Sequence, residues 1–176
     1  NRTPLPMDEA SRMARAQERF DTSTPQYHAT DADFAAFKPS GTGLAGRGVY
    51  TGDEASDALD YVNDRSADGI NIISGFTPNR DKYAPFRKYQ ETLDADESLG
   101  WTASPEEMVA ASKRAADVLT GQGFAGVQSA SPGHLATIEP RNIRSRFARF
   151  DPEFAHLSNL SAGVAGLGVV GLGATQ

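Results

Sequence analysis

The stretch that most narrows the possible folds runs from residue 104 to residue 138, where a well-marked helix is followed at once by a hairpin pattern. Ser104 precedes Pro105, which suits a first helical position, and Glu107 stands three residues after the serine, the spacing of a reciprocal capping box. Met108, Ala111, Ala115, Val118 and Leu119 recur at intervals of three and four, and Gly121 or Gly123 ends the helix. Gly123-Phe124-Ala125-Gly126-Val127 then reads as a strand and Ser131-Pro132-Gly133 as a turn. His134-Leu135-Ala136-Thr137-Ile138 is the returning strand, stopped by Pro140. A helix that feeds an antiparallel hairpin breaks any regular βαβ alternation, so an α+β class is expected rather than a doubly wound sheet.

The upstream pattern is mixed in the same way. Asp8 is placed to cap a helix reaching about Arg19, with Ala10, Met13 and Ala14 on its less polar side. Residues 24–30 read as a short extended run after a turn. Phe34 and Phe37 anchor a loop that becomes glycine-rich at Gly41-Thr42-Gly43 and Gly46-Arg47-Gly48. Val49-Tyr50-Thr51 reads as a strand entering a helix over 53–62, and Ile70-Asn71-Ile72-Ile73 as a further strand. Residues 77–103 are polar and irregular, with one short helix over 85–93. The expected division is a helical lead-in (1–22), a main domain (23–155) and a Gly-rich apolar tail (156–176).

The chain has 176 residues, 39% of them hydrophobic and 23% charged, enough for one packed domain without covalent staples. It has no cysteine, which excludes disulfides, thiolate nucleophiles and cysteine–zinc sites. A formal charge of −6 argues against nucleic acid as a high-affinity partner. The apolar run 160–174 is too short and too rich in glycine for a stable membrane span, which takes about 20 residues. The opening at Asn1, without an initiator methionine, suggests a piece of a larger polypeptide.

Three histidines are available, His28, His134 and His156, without the spacing of a metal motif. Gly46-Arg47-Gly48 lacks the lysine of a phosphate loop and is no Rossmann fingerprint. Taken singly, His28 reads as a satisfied polar residue at a strand end, Tyr50 and Tyr61 as core aromatics, and His134 as a hairpin residue. His156 carries no functional pattern. The run Arg141, Arg144, Arg146 and Arg149 could bind phosphate, but reads first as a solvated or ion-paired face.

Two segments considered together carry more. Tyr27-His28-Ala29-Thr30 resembles the Tyr-His-Gly-Thr/Ser strand of the diphtheria-toxin-like ADP-ribosyltransferases, the branch that includes the poly(ADP-ribose) polymerases. Gly46-Arg47-Gly48-Val49-Tyr50 resembles that branch's Gly-x-Gly-Ile-Tyr strand, and Tyr61 follows Tyr50 at the family's interval of eleven. From about residue 5 to residue 152 the chain is similar to the ADP-ribosyltransferase modules of phage and prophage polyvalent proteins. Their opening helix resembles residues 6–16, and their closing piece resembles Pro140-Arg141-Asn142-Ile143-Arg144-Ser145.

The resemblance implies a split, mixed β-sandwich with flanking helices and an NAD⁺ cleft. It implies that His28 binds the adenosine-side ribose, that the Ala29 main chain clamps the nicotinamide carboxamide and that Thr30 assists at the ribose. It implies that Tyr50 and Tyr61 stack on the nicotinamide and that Gly48 lets the chain approach the ligand. NAD⁺ would be the substrate, with no metal, and a host protein is favoured over nucleic acid as acceptor. The setting implied is the bacterial cytoplasm, reached within a phage or prophage protein that could be delivered with the particle.

Three positions depart from the family. Ala29 replaces its glycine, and Ala58 stands where polymerase-type members have serine. His134 occupies the frame of the catalytic glutamate, and Glu139, five residues on, would point to the opposite strand face. Loss of one such electrostatic group costs on the order of 10²–10³ in rate in other enzymes. Two functions therefore stay open, a mono-ADP-ribosyltransferase with His28, Tyr50 and His134 at its centre, and a weak or inert NAD⁺-binding or protein-interaction module of the same fold.

Overall fold

Asp8 and Ser104 start the two best-marked helices through their own side chains. Asp8 accepts from the Ser11 amide at 2.9 Å and opens α1 (Glu9–Gln17). Ser104 accepts from the Glu107 amide while Glu107 returns a carboxylate oxygen to the Ser104 N–H, opening α4 (Pro105–Gly121). The computed structural model describes residues 4–30, 36–59, 62, 70–100, 102–158 and 160. Tyr61, the second half of the helix expected over 53–62 and the tail beyond Leu160 lie outside the described residues.

Between these helices the chain builds β1 (Asp21–Thr30), β2 (Ser40–Gly43), β3 (Gly46–Thr51), α2 (Ala55–Leu59), β4 (Asn71–Thr77), β5 (Tyr83–Ala84) and α3 (Phe86–Asp94). After α4 come β6 (Gly126–Gln128), β7 (Leu135–Thr137) and β8 (Arg144–Ser145). The class is mixed α+β, with two sheets and four α-helices among the described residues. One sheet has the order β1-β4-β8, antiparallel throughout; the other has the order β2-β3-β7-β6-β5, with β5 parallel to β6. The hairpin expected over 123–138 is β6–β7, paired Gly126↔Thr137 to Gln128↔Leu135.

Three strands escaped the sequence pattern. The glycine-rich loop is a hairpin, β2–β3, and β5 and β8 hold two residues each, too short to show a period. The region 77–103, expected as largely irregular, carries the turn Arg80–Lys82, β5 and α3. The parallel β5–β6 pair is reached by a crossover through α3 and α4, a parallel pairing that sequence order did not reveal.

The apolar core divides by layer. Ala115, Ala116 and Leu119 of α4 and Tyr89 of α3 pack on Tyr50, Val127, Ala136 and Ile138 of the five-stranded sheet. The fully buried Leu119 contributes about 2 kcal/mol by leaving water. Ala16 of α1 meets Phe76, Ala148 and Phe150 beside the three-stranded sheet. Phe37, Val49, Ile143 and Leu160, with Ile73, form the cluster that joins residues of both sheets. α1 is held from outside as well, since Arg12 and Arg15 donate to the main-chain carbonyls of Arg146 and Arg149 at 3.0–3.1 Å.

One expectation for the basic run is overturned. Arg144 is neither solvated nor ion-paired; only 2% of it is exposed, and its guanidinium donates to the carbonyls of Ile143, Ala155 and Leu157. Its place in β8, between the sheet and the closing turn, puts it under the chain rather than on a face.

Candidate functional site at the junction of the two sheets

The two sheets meet where β1 passes the end of β3. Tyr27 and Gly52 exchange both main-chain hydrogen bonds, at 2.8 and 2.9 Å. One residue on, the His28 ring donates through Nδ1 to the Tyr50 carbonyl at 2.7 Å and lies edge-on to Phe37, with ring centroids 4.9 Å apart. The two sequence segments singled out, 27–30 and 46–50, are thus side by side. Burial depresses the His28 pKa below its ordinary value, and the bond to the Tyr50 carbonyl opposes that shift in part. The neutral ring, with its proton on Nδ1, presents Nε2 as an acceptor.

The bridge also fixes the direction of Ala29. Main-chain N–H and C=O groups of alternate strand residues point to the same edge. Those of Tyr27 point away from β4, toward Gly52, so those of Ala29 point to that edge too. Ala29 has no left-handed backbone, so the alanine fits this strand position without strain. Thr30 follows, half-buried and paired across to Asn71 of β4.

Tyr50 is placed differently from a stacking platform. The residue is 8% exposed, its ring sits in the core under α3 and α4, and its hydroxyl donates to the Gly46 carbonyl at 2.7 Å. A ligand could stack on it only if the ring swung out. Gly48 allows a close approach, but the neighbour approached is β7: a Cβ there would sit 3.1 Å from Ala136 main-chain and side-chain carbons. Ala58 is buried with 1% exposure and presents no polar group. Tyr61 lies outside the described residues.

His134 stands just before β7, half-buried, in a turn closed by Ser129 N–H to His134 C=O at 3.0 Å. Thr51 pairs with Leu135, so extending that register by one residue sets His134 opposite Gly52, itself bridged to Tyr27. At about 4.8 Å per strand, the main chain at residue 134 is then roughly 10 Å from that at Tyr27. The turn bearing His134 and the strand bearing His28 therefore share one end of the molecule.

A polar network that sequence reading missed ties these pieces together. Gln26, on the same strand face as His28 two residues earlier, is 3% exposed; it accepts from the Thr51 hydroxyl at 3.0 Å and donates to Asp53 at 2.5 Å. Arg80 pairs with the same Asp53 oxygen and reaches the Gly133 carbonyl at 3.4 Å. Beneath them the fully buried Tyr83 shares a 2.8 Å hydrogen bond with Thr137, and burial raises its pKa to about 12. Residues 26, 53, 80 and 133 are remote in sequence, so only the same-face spacing of Gln26 and His28 offered a local signal. Among the described residues no three His, Asp or Glu side chains converge as metal ligands would, and no helix is long and apolar enough to cross a membrane. Comparison with family models, with curated proteins and with solved structures finds no match to this chain.

Proposed function

We propose that the chain is a mono-ADP-ribosyltransferase that uses NAD⁺ to modify a host macromolecule, with protein as the acceptor, as a module of a phage or prophage protein. The finer fold this reading needs is the split ADP-ribosyltransferase sandwich, with the cleft along the edge of β1 that faces away from β4. The observation that supports it best is the conjunction at residues 28 and 29. A neutral imidazole with its proton on Nδ1 stands next to a peptide whose N–H and C=O both point away from β4. A ribose hydroxyl suits the first, and a primary carboxamide, which has one donor face and one acceptor, suits the second. His134 supplies no negative charge for the oxocarbenium character that develops when the glycosidic bond breaks, so slow turnover is part of the proposal.

The buried Tyr50 ring favours a second reading, an NAD⁺-binding or protein-interaction module of the same fold without transfer activity. The two are separated by incubating the chain with labelled NAD⁺ and bacterial lysate. Nicotinamide release with label on protein, both lost in His28→Ala, supports the transferase. Binding without turnover supports the second reading, and no binding of NAD⁺ defeats both.

A further inference from the structure

A separate feature lies at the opposite end of β1 from His28. Arg19, Arg141, Asn142, Pro152, Ala155 and His156 line a depression of about 370 Å³ between the end of α1 and the turns Pro140–Asn142 and Pro152–Phe154. Its polar side chains are two guanidiniums, an imidazole and an amide, with no carboxylate among them, in a chain whose formal charge is −6. An adjoining narrower recess shares Arg19, Pro152 and Ala155 with it and reaches the buried Arg144.

The charges are stacked in an unfavourable way. The Arg144 guanidinium donates to three carbonyl oxygens, which are dipoles and bring no counter-charge. Burial, with the repulsion of Arg19 behind it, lowers the Arg144 pKa to about 10. Glu18 and Asp151 line the narrow recess, yet Asp151 turns Oδ1 to the Glu153 amide at 3.1 Å, and neither carboxylate lines the wider depression. An anion in that depression would sit against Arg19 and Arg141, whose charges are offset by no carboxylate in its lining, and would relieve the charge that Arg19 directs at Arg144.

We propose that this depression is a binding site for a phosphate group, held by Arg19 and Arg141 with Asn142 and His156 at its rim. Phosphate fits better than a carboxylate because the lining brings two guanidiniums from separate segments, Arg19 after α1 and Arg141 in the turn Pro140–Asn142, together with an amide and an imidazole, more donors than two carboxylate oxygens need. The site is independent of the NAD⁺ reading, since it shares no residue with the 27–30 and 46–53 segments.

The test titrates the full chain with pyrophosphate at constant ionic strength, following binding by calorimetry and the Asn142 and His156 resonances by NMR. Saturable binding is expected, weakened about tenfold or more by Arg19→Ala or by Arg141→Ala, as removal of one charge-assisted contact implies. Both side chains are exposed, so the variants should keep the wild-type melting temperature. His28→Ala should bind pyrophosphate like the wild type, which separates this site from the cleft. A nucleoside diphosphate that binds more tightly than pyrophosphate would assign the phosphate to a nucleotide, and equal affinity would assign it to the free ion. No saturable binding, unchanged affinity in the Arg19→Ala/Arg141→Ala variant, or identical shifts with sodium chloride would overturn the proposal.

Discussion

His28 Nδ1 donates to the main-chain carbonyl of Tyr50 at 2.7 Å, and that one bond sets the chemistry of the imidazole. It fixes the tautomer, aligns the ring with the end of β3 and leaves Nε2 as the acceptor side. A protonated ring would turn Nε2 into a donor and place an additional charge in a half-buried position beside Phe37. The geometry thus works with a neutral histidine.

Stability should therefore fall in mildly acidic solution. Burial depresses the folded-state pKa of His28 below the ordinary 6.5. Above pH 6.5 neither the folded nor the unfolded state carries the proton. As pH drops from 6.5 toward the depressed value, the unfolded chain takes up a proton that the folded chain resists, and stability is lost by up to about 1.4 kcal/mol per pH unit. Below the depressed value this loss levels off. His28→Gln should show a shallower decline between pH 7.5 and 5.5 in urea unfolding; parallel declines would exclude His28 as the source.

Arg80 is expected to hold the turn that carries His134. It joins Asp53 and the Gly133 carbonyl, and Asp53 in turn is held by Gln26. Both charged side chains are partly exposed, 41% for Arg80 and 33% for Asp53, so solvent screens the pair and Arg80→Ala should cost only about 1 kcal/mol. The sharper signature is local. Amide exchange at Gly133 and His134 should speed up relative to α4, and uniform acceleration across the chain would mean that Arg80 serves global stability alone.

How much of this could be read in advance depended on how local each signal was. The capping box of Ser104 and Glu107, the Asp8 cap and the Gly126–Gln128 hairpin partner all follow from spacings within a few residues, and all are present. β5 and β8 are two-residue strands whose existence depends on partners far along the chain. At the site, the proximity of 27–30 to 46–50 agrees with their joint pattern, whereas the burial of Tyr50 does not follow from it. That burial is decided by α3 and α4, which cover the face of β3 on which the ring lies. The Gln26–Asp53–Arg80 network joins residues 27 positions apart at each step, so no local spacing announces it beyond the shared strand face of Gln26 and His28.

His134→Glu tests the third site position. If residue 134 stands in the frame of the missing carboxylate, glutamate should raise nicotinamide release by about 10²-fold, the lower end of what one such electrostatic group supplies. The position is half-buried beside the Gly52 bridge, so the variant should fold with a modest loss of stability. A folded His134→Glu protein with unchanged turnover would place the charge-stabilising role elsewhere.

Tyr50 and Gly43 give the most direct test of where the ring lies. Gly43 pairs with Gly46 across the β2–β3 hairpin, and a Cβ at residue 43 would land on the Tyr50 ring and hydroxyl. Gly43→Ala must therefore move the ring or spread the hairpin, an overpacking that costs about 1–3 kcal/mol. In a Tyr50→Ala background the obstacle is gone, and the same Gly43→Ala change should be close to neutral. Urea unfolding of the four proteins in this cycle measures the coupling directly. A coupling of about 1 kcal/mol or more, the lower end of the overpacking cost, places the ring over Gly43 in solution. Equal costs in the two backgrounds would mean that Tyr50 already spends its time outside the core, where it could stack on a ligand. The cycle repeated with NAD⁺ present carries the point to function. If binding draws the ring outward, the coupling should shrink with ligand, because the clash exists only while the ring is in.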